Sequence, residues 1–164
     1  MHDDIMLASG EGRTVQLQGL GVRFLVSGDQ TGGRFAMVEH PLAPRALGSP
    51  LHTHENEDEI SSVLEGEIGV QVGEQEHVAR PGAVVFKPRG IPHAFWNAGD
   101  TPARLLEVIT PAGFEGYFEE AAQLFAGGGQ PDPARAAALF EQYHLHMDLS
   151  SIPALMQAHG LAGG

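Results

Sequence analysis

The 164-residue chain contains no cysteine, which removes disulfides and thiolate metal sites from consideration. Basic residues are scarce: nine Lys and Arg stand against 21 Asp and Glu, for a net charge of −12 and a pI near 5.0. So acidic a surface repels phosphate backbones and anionic lipid, so neither a nucleic-acid nor a membrane partner is expected. No apolar run has the length to span a bilayer. Met1-His2-Asp3-Asp4 lacks a basic stretch ahead of an apolar core. No signal peptide is expected, and with the missing cysteines this suits a cytoplasmic protein.

What is present suits strands. The hydrophobic content of 42% is enough for one core, and the length fits a single domain over 1–164. Twenty-two Gly and 11 Pro favour short strands joined by turns over a helical bundle. Residues 1–12 read as a loose leader. The alternation from Thr14 to Val26 predicts one or two strands, Gly28 to Gly33 a turn, and Phe35 to His40 another strand. Three prolines between Pro41 and Pro50 predict a loop. Strands follow around Ile68–Val72, Val84–Lys87, Ala94–Asn97 and Arg104–Thr110, with a hairpin turn at Gly73-Glu74-Gln75.

The pattern then changes to helical spacing. Phe114, Tyr117, Phe118, Ala121, Leu124 and Phe125 predict one amphipathic helix, stopped by Gly127-Gly128-Gly129. Asp132-Pro133 reads as an N-cap with proline at the first helical position, opening a second helix to about Tyr143. A third helix runs from about Ser151 to His159, with Gly160 as its stop. The fold predicted is mainly β, with a barrel over about 14–112 and a helical extension over 113–160. That extension is too short to bury its own core and is expected to pack on the barrel.

The chemistry concentrates in Pro50-Leu51-His52-Thr53-His54-Glu55-Asn56-Glu57-Asp58-Glu59. Side chains alternate along a strand, so His52 and His54 share a face, about 7 Å apart, with Thr53 opposite. Two imidazoles on one rigid face form half of a metal site. Glu59 offers a hard oxygen once the chain turns back through Glu55 to Asp58, which read as a solvated turn. Strand parity favours Glu59 over Asp58. His2, His40, His77, His144, His146 and His159 read as surface or packing residues. His144-Leu145-His146 repeats the spacing but has no carboxylate block behind it, and is rejected as a site.

A second stretch runs from Pro81 to Asn97. Together the two stretches resemble the cupins, whose motifs are roughly G-x(5)-H-x-H-x(3,4)-E-x(6)-G and G-x(5)-P-x-G-x(2)-H-x(3)-N. His52, His54, Glu59 and Gly66 fit the first, although Gly48 lies only three residues before His52. Gly82, Pro88, Gly90, His93 and Asn97 fit the second at every spacing. The resemblance implies a cupin β-sandwich or jelly-roll barrel holding one divalent transition metal per chain on His52, His54, Glu59 and His93. Three histidines and a carboxylate facing one interior are costly to bury without a metal to pair them. Imidazole and carboxylate suit Fe, Ni, Mn, Cu, Co or Zn. Four protein ligands on an octahedral metal leave two positions open, the layout of a catalytic site.

Within the cupins, residues 34–125 look most like small bacterial proteins grouped with quercetin 2,3-dioxygenases. That likeness implies a metal-dependent dioxygenase acting on a small phenolic or enolisable substrate, with Glu59 as ligand and general base. The alternatives are a small-ligand sensor without turnover, or a metal-assisted isomerase or hydrolase. Phe86 and Phe95 are candidate pocket walls, Phe95 by parity on the His93 face and Trp96 on the other. Many relatives carry an aromatic residue shortly after the ligand glutamate; Ser61-Ser62 stand there in this chain, and two small residues either enlarge the expected pocket, with Ser61 on its wall, or loosen the packing. The resemblance also implies a homodimer.

Overall fold

The computed structural model describes residues 6–126 and 131–162. Two antiparallel sheets form the sandwich. The first has six strands in the order β1 (Thr14–Leu17), β2 (Leu20–Val26), β3 (Ala36–Leu42), β10 (Ala103–Thr110), β5 (Asp58–Glu65) and β8 (Val84–Lys87). The second has five, in the order β11 (Leu145–Asp148), β4 (Ala46–His54), β9 (His93–Asn97), β6 (Ile68–Val72) and β7 (Gln75–Ala79). The stretch from Thr14 to Val26 therefore makes two strands. Gly28 to Thr31 is a single helical turn, α1, in which Ser27 Oγ accepts from the Gln30 amide.

Alternation fixes what faces inward. Along β10, Ala103, Leu105, Glu107 and Ile109 are buried and the residues between them are half-exposed. Along β5 the inward set is Glu59, Ser61 and Val63. Two apolar clusters fill the interior, one around Leu42, Val63, Val70, Phe95 and Leu105, the other around Val22, Val38, Ile109, Phe114 and Phe118. His40 touches both, with its ring centroid 6.1 Å from Phe95 and 5.2 Å from Phe118. A belt of polar side chains thus lies between two apolar layers.

The expected loop from Pro41 to Pro50 is mostly strand: β3 extends to Leu42 and β4 begins at Ala46. Pro50 is tolerated within β4 because that strand is irregular. Its register against β9 shifts between Leu47 and Ser49 and again between Ser49 and His52, and a bulged segment leaves backbone positions that need no ladder bond. Gly48 has its own reason: a Cβ at that position would meet the Phe95 ring at 2.3 Å. The same holds at Gly69, where it would meet the Trp96 indole at 2.1 Å.

The C-terminal segment packs on the sandwich. Helix α2 (Glu115–Phe125) buries Tyr117 and Phe118, and with Phe114 these rings join the second core cluster. Each such burial stabilises by roughly 1.5–3 kcal/mol. Helix α3 (Pro133–Gln142) starts as expected, with Asp132 Oδ1 accepting from the Ala134 amide at 2.8 Å. Helix α4 (Ile152–His159) ends at left-handed Gly160 and covers the outer face of the second sheet, where His159 stacks on Trp96 at 3.9 Å. The glycine run at 127–129, expected to stop α2, lies outside the described residues, as do positions 1–5 of the leader. The extension is not wholly helical. Leu145 to Asp148 form β11, which pairs with β4. No helix among the described residues is long and apolar enough to cross a membrane.

Candidate metal centre

The two sheets each bring part of the centre. His52 and His54 stand at the end of β4, and His93 opens β9. His52 and His93 are direct cross-strand partners, which sets their ring centroids 4.3 Å apart. The turn through 55–57 then carries the chain to the other sheet, where Glu59 points inward from β5. All four residues are buried, and one ligand atom from each lies within 4.8 Å of the others.

The hydrogen bonds fix which imidazole nitrogen faces the centre. His52 Nδ1 lies 2.8 Å from the Pro50 carbonyl and His93 Nδ1 lies 3.1 Å from the Ile91 carbonyl. A carbonyl only accepts, so both Nδ1 atoms carry the proton and both Nε2 atoms present bare lone pairs. Burial, the largest influence on each, pushes His52 well below its ordinary pKa and lowers that of His93, so neither ring is easily protonated. Yet His93 Nε2 sits 3.1 Å from Glu59 Oε2, and His54 Nε2 sits 3.4 Å from Glu59 Oε1. Both nitrogens of His54 are buried without a hydrogen-bond partner. Lys87 meets one oxygen of Glu59, but the bare Nε2 atoms of His52 and His93 and the unpartnered His54 ring have no cation of their own, and buried lone pairs facing one another are costly until one enters. The donor set therefore fits a divalent metal bound by His52, His54, Glu59 and His93.

Surrounding groups orient these ligands. Glu57 Oε2 lies 3.6 Å from His54 Nδ1 and also lacks a partner. It is placed to take the Nδ1 proton once Nε2 is engaged, the outer contact that ligating histidines ordinarily have. Phe114 packs edge-on against His54 at 4.3 Å. Lys87 Nζ bonds Glu59 Oε2 at 2.8 Å and Glu107 Oε2 at 2.9 Å, and Ser61 Oγ donates to Glu107 Oε1 at 3.0 Å. Burial alone would raise the Glu59 carboxyl, but the Lys87 ammonium beside it outweighs burial and holds Glu59 well below the ordinary carboxylate range. Burial raises Glu107 to about 7 against the opposing pull of Lys87.

The other sequence candidates divide. Phe95 is buried on the interior side, beneath Lys87. Trp96 faces outward under α4. Phe86 does not line the interior: it is 57% exposed, because β8 directs Val85 and Lys87 inward and leaves Val84 and Phe86 outside. Ser61 points inward but is occupied by Glu107. The acidic turn is not simply solvated either. Glu57 is buried by the His54 ring, and Asp58 takes the Arg89 backbone amide and guanidinium, bonds that hold its carboxyl down to about 2. His144 and His146 stand apart from the centre and pair with exposed Glu55. They edge a groove of about 880 Å³ between α3, β11 and β4 that also reaches His52, Phe140 and Met147.

Lys87 and Glu107 were not anticipated as interior polar residues, and of the two readings of His40, surface or packing, the structure shows packing. His40 is 2% exposed, lies 3.1 Å through Nδ1 from the Gly21 carbonyl, and is lowered to about 4 by burial. The signal for Glu107 was parity, since it shares phase with Leu105 and Ile109. Nothing in the sequence pairs Lys87 with Glu59 across β5 and β8.

Comparison with known proteins agrees with this architecture. The profile of the cupin domain matches residues 39–109, and the chain belongs to the cupin superfamily. It is similar to a sugar phosphate isomerase of that superfamily from Silicibacter pomeroyi, at 34% identity and TM-score 0.50 over 56% of this chain and 59% of the other. It therefore spans less than two thirds of that relative. It is also similar to a polyketide cyclase from Streptomyces resistomycificus, at 27% identity and TM-score 0.57 over 64% of this chain and 78% of that one. A predicted oxalate decarboxylase from Thermotoga maritima, at 23% identity and TM-score 0.62 over 65% and 99% of the two chains, shares the fold. Curated proteins give no match.

Proposed function

We propose that this protein is a metal-dependent dioxygenase acting on a small phenolic or enolisable substrate. The observation that carries the reading is the buried cluster of His52, His54, Glu59 and His93, with one ligand atom of each within 4.8 Å of the others; an octahedral metal held by these four would keep two positions for other ligands. A bound metal would supply Lewis acidity toward a substrate oxygen and a place for dioxygen. Phe114, edge-on to His54, gives the ligands an apolar neighbour suited to an aromatic or enolised group. The groove reaching His52 offers a small molecule an approach. Glu59 would serve as a ligand and, on detaching, as the base that takes the substrate hydroxyl proton, with Lys87 held against its Oε2.

Metal-assisted isomerisation is the second reading, favoured by the likeness to the Silicibacter pomeroyi isomerase. Oxygen uptake by the metal-loaded protein across phenols, flavonols and diketones separates the two. Uptake with one substrate class is the expected result. Turnover under nitrogen supports the isomerase or hydrolase, and ligand binding without turnover supports a sensor. The homodimer is a proposal of the same standing. Its support is the outer face of β8 and β5, where Phe86 lies opposite Ile60 and Val84 is 65% exposed.

A further inference from the structure

Lys87 is held from several sides. It lies directly across from Glu59 in the β5–β8 register, and its side chain is 1% exposed. One donor goes to Glu59 Oε2 at 2.8 Å and one to Glu107 Oε2 at 2.9 Å. The ammonium also stands 5.4 Å above the centre of the Phe95 ring, within cation–π reach. Glu107 is itself fixed, by Ser61 on its other oxygen. A buried ammonium bonded to two carboxylates cannot leave without stranding both charges, so it stays in place whether or not a metal is bound.

Glu59 presents each oxygen to a different imidazole, Oε1 to His54 at 3.4 Å and Oε2 to His93 at 3.1 Å. Both oxygens are thus in reach of a metal seated among the Nε2 atoms. Two-oxygen ligation would use a coordination position that a substrate needs. We propose that Lys87 is a positioning residue: by holding Oε2 of Glu59 it restricts this carboxylate to one-oxygen ligation and keeps a coordination position open at the metal. This rests on the metal-binding reading above. Glu107 and Ser61 act one step further out, by fixing the ammonium.

The test counts metal-bound water. Wild type, Lys87→Met and Lys87→Met/Glu107→Gln are loaded with Mn(II); the double variant removes the charge that Lys87→Met alone would strand. The readouts are Mn(II) affinity by chelator competition and water-proton relaxivity per bound ion. The expected result is retained affinity with relaxivity lowered about twofold, as one of two open positions is taken by the second oxygen. In a Glu59→Gln background, whose amide ligates through one oxygen, Lys87→Met should leave relaxivity unchanged. Equal relaxivity in wild type and both Lys87 variants overturns the proposal. So does loss of Mn(II) by both variants, which would make Lys87 a structural residue only. A wild-type protein that takes up no metal overturns the underlying metal reading, and this inference with it.

Discussion

Replacing His54 with alanine gives the sharpest test of the metal centre. The ring is buried, both of its nitrogens are unpartnered, and Nε2 faces Glu59. Outer-shell substitutions at metal sites already cost 10- to 100-fold in affinity, so loss of a direct ligand costs about 100-fold or more. With free metal at 100 times the wild-type Kd, binding stabilises the wild-type fold by about 2.7 kcal/mol. The same metal concentration then equals the variant's Kd and stabilises it by only about 0.4 kcal/mol. For a chain of this size, the metal-induced rise in Tm should fall from about 5–10 °C to about 1 °C. Metal-free stability should change less. Alanine relieves two unpaired buried nitrogens while opening space beside Phe114, and these effects oppose each other. Thermal melts with and without Ni(II) or Co(II) measure the difference, and exposed His146→Ala, outside the cluster, is the control. Equal shifts in wild type and His54→Ala would refute the assignment.

Acidification should strip the metal, since imidazoles bind only when neutral, and because burial holds His52 and His93 below the ordinary 6.5 release should begin on the acid side of that value; metal content that acid never lowers would count against the site. His40 is lowered to about 4 by burial, so below its ordinary value of 6.5 the unfolded chain takes the proton first. Its effect is therefore a loss of stability as pH falls from 6.5 toward 4, about 3 kcal/mol in all. Urea titrations at pH 7 and pH 4 should show a loss in wild type larger by that amount than in His40→Met, in which the lowered His52 and His93 still contribute, and parallel curves would rule it out. If the outer face of β8 joins two copies, Phe86→Asp should give monomers by light scattering; an unchanged mass would remove that face from the interface.

Much of the centre was legible because strand parity is a strict rule. His52-x-His54 had to share a face, and the turn of polar residues had to bring a carboxylate back. His93 came from spacing against a known motif. The rest depended on pairings that no local pattern states. Lys87 reads as a charge at the end of an apolar strand until β8 is laid against β5 and its side chain meets Glu59. The same parity that sent Phe95 inward should have been applied to Phe86, which alternates with Lys87. Glu107 was hidden by its apolar neighbours, although it shares their phase. Pro50 suggested a loop because proline interrupts regular ladders, and β4 accommodates it by not being regular. Strand β11 was missed because four residues are too few to show a period, and only the long-range pairing with β4 defines them.

That pairing bears on how the protein assembles as it is made. The strand that carries His52 and His54 has its outer edge covered by residues that follow about 90 positions later, Leu145 against His54, a separation that slows folding by its loop-closure entropy. Until those residues leave the ribosome, β4 presents an unpaired edge with two inward imidazoles beside it. Such an edge is a template for pairing with another nascent chain. A ribosome stalled before Leu145 should therefore hold an aggregation-prone intermediate, and completion of β11 is the step that closes it.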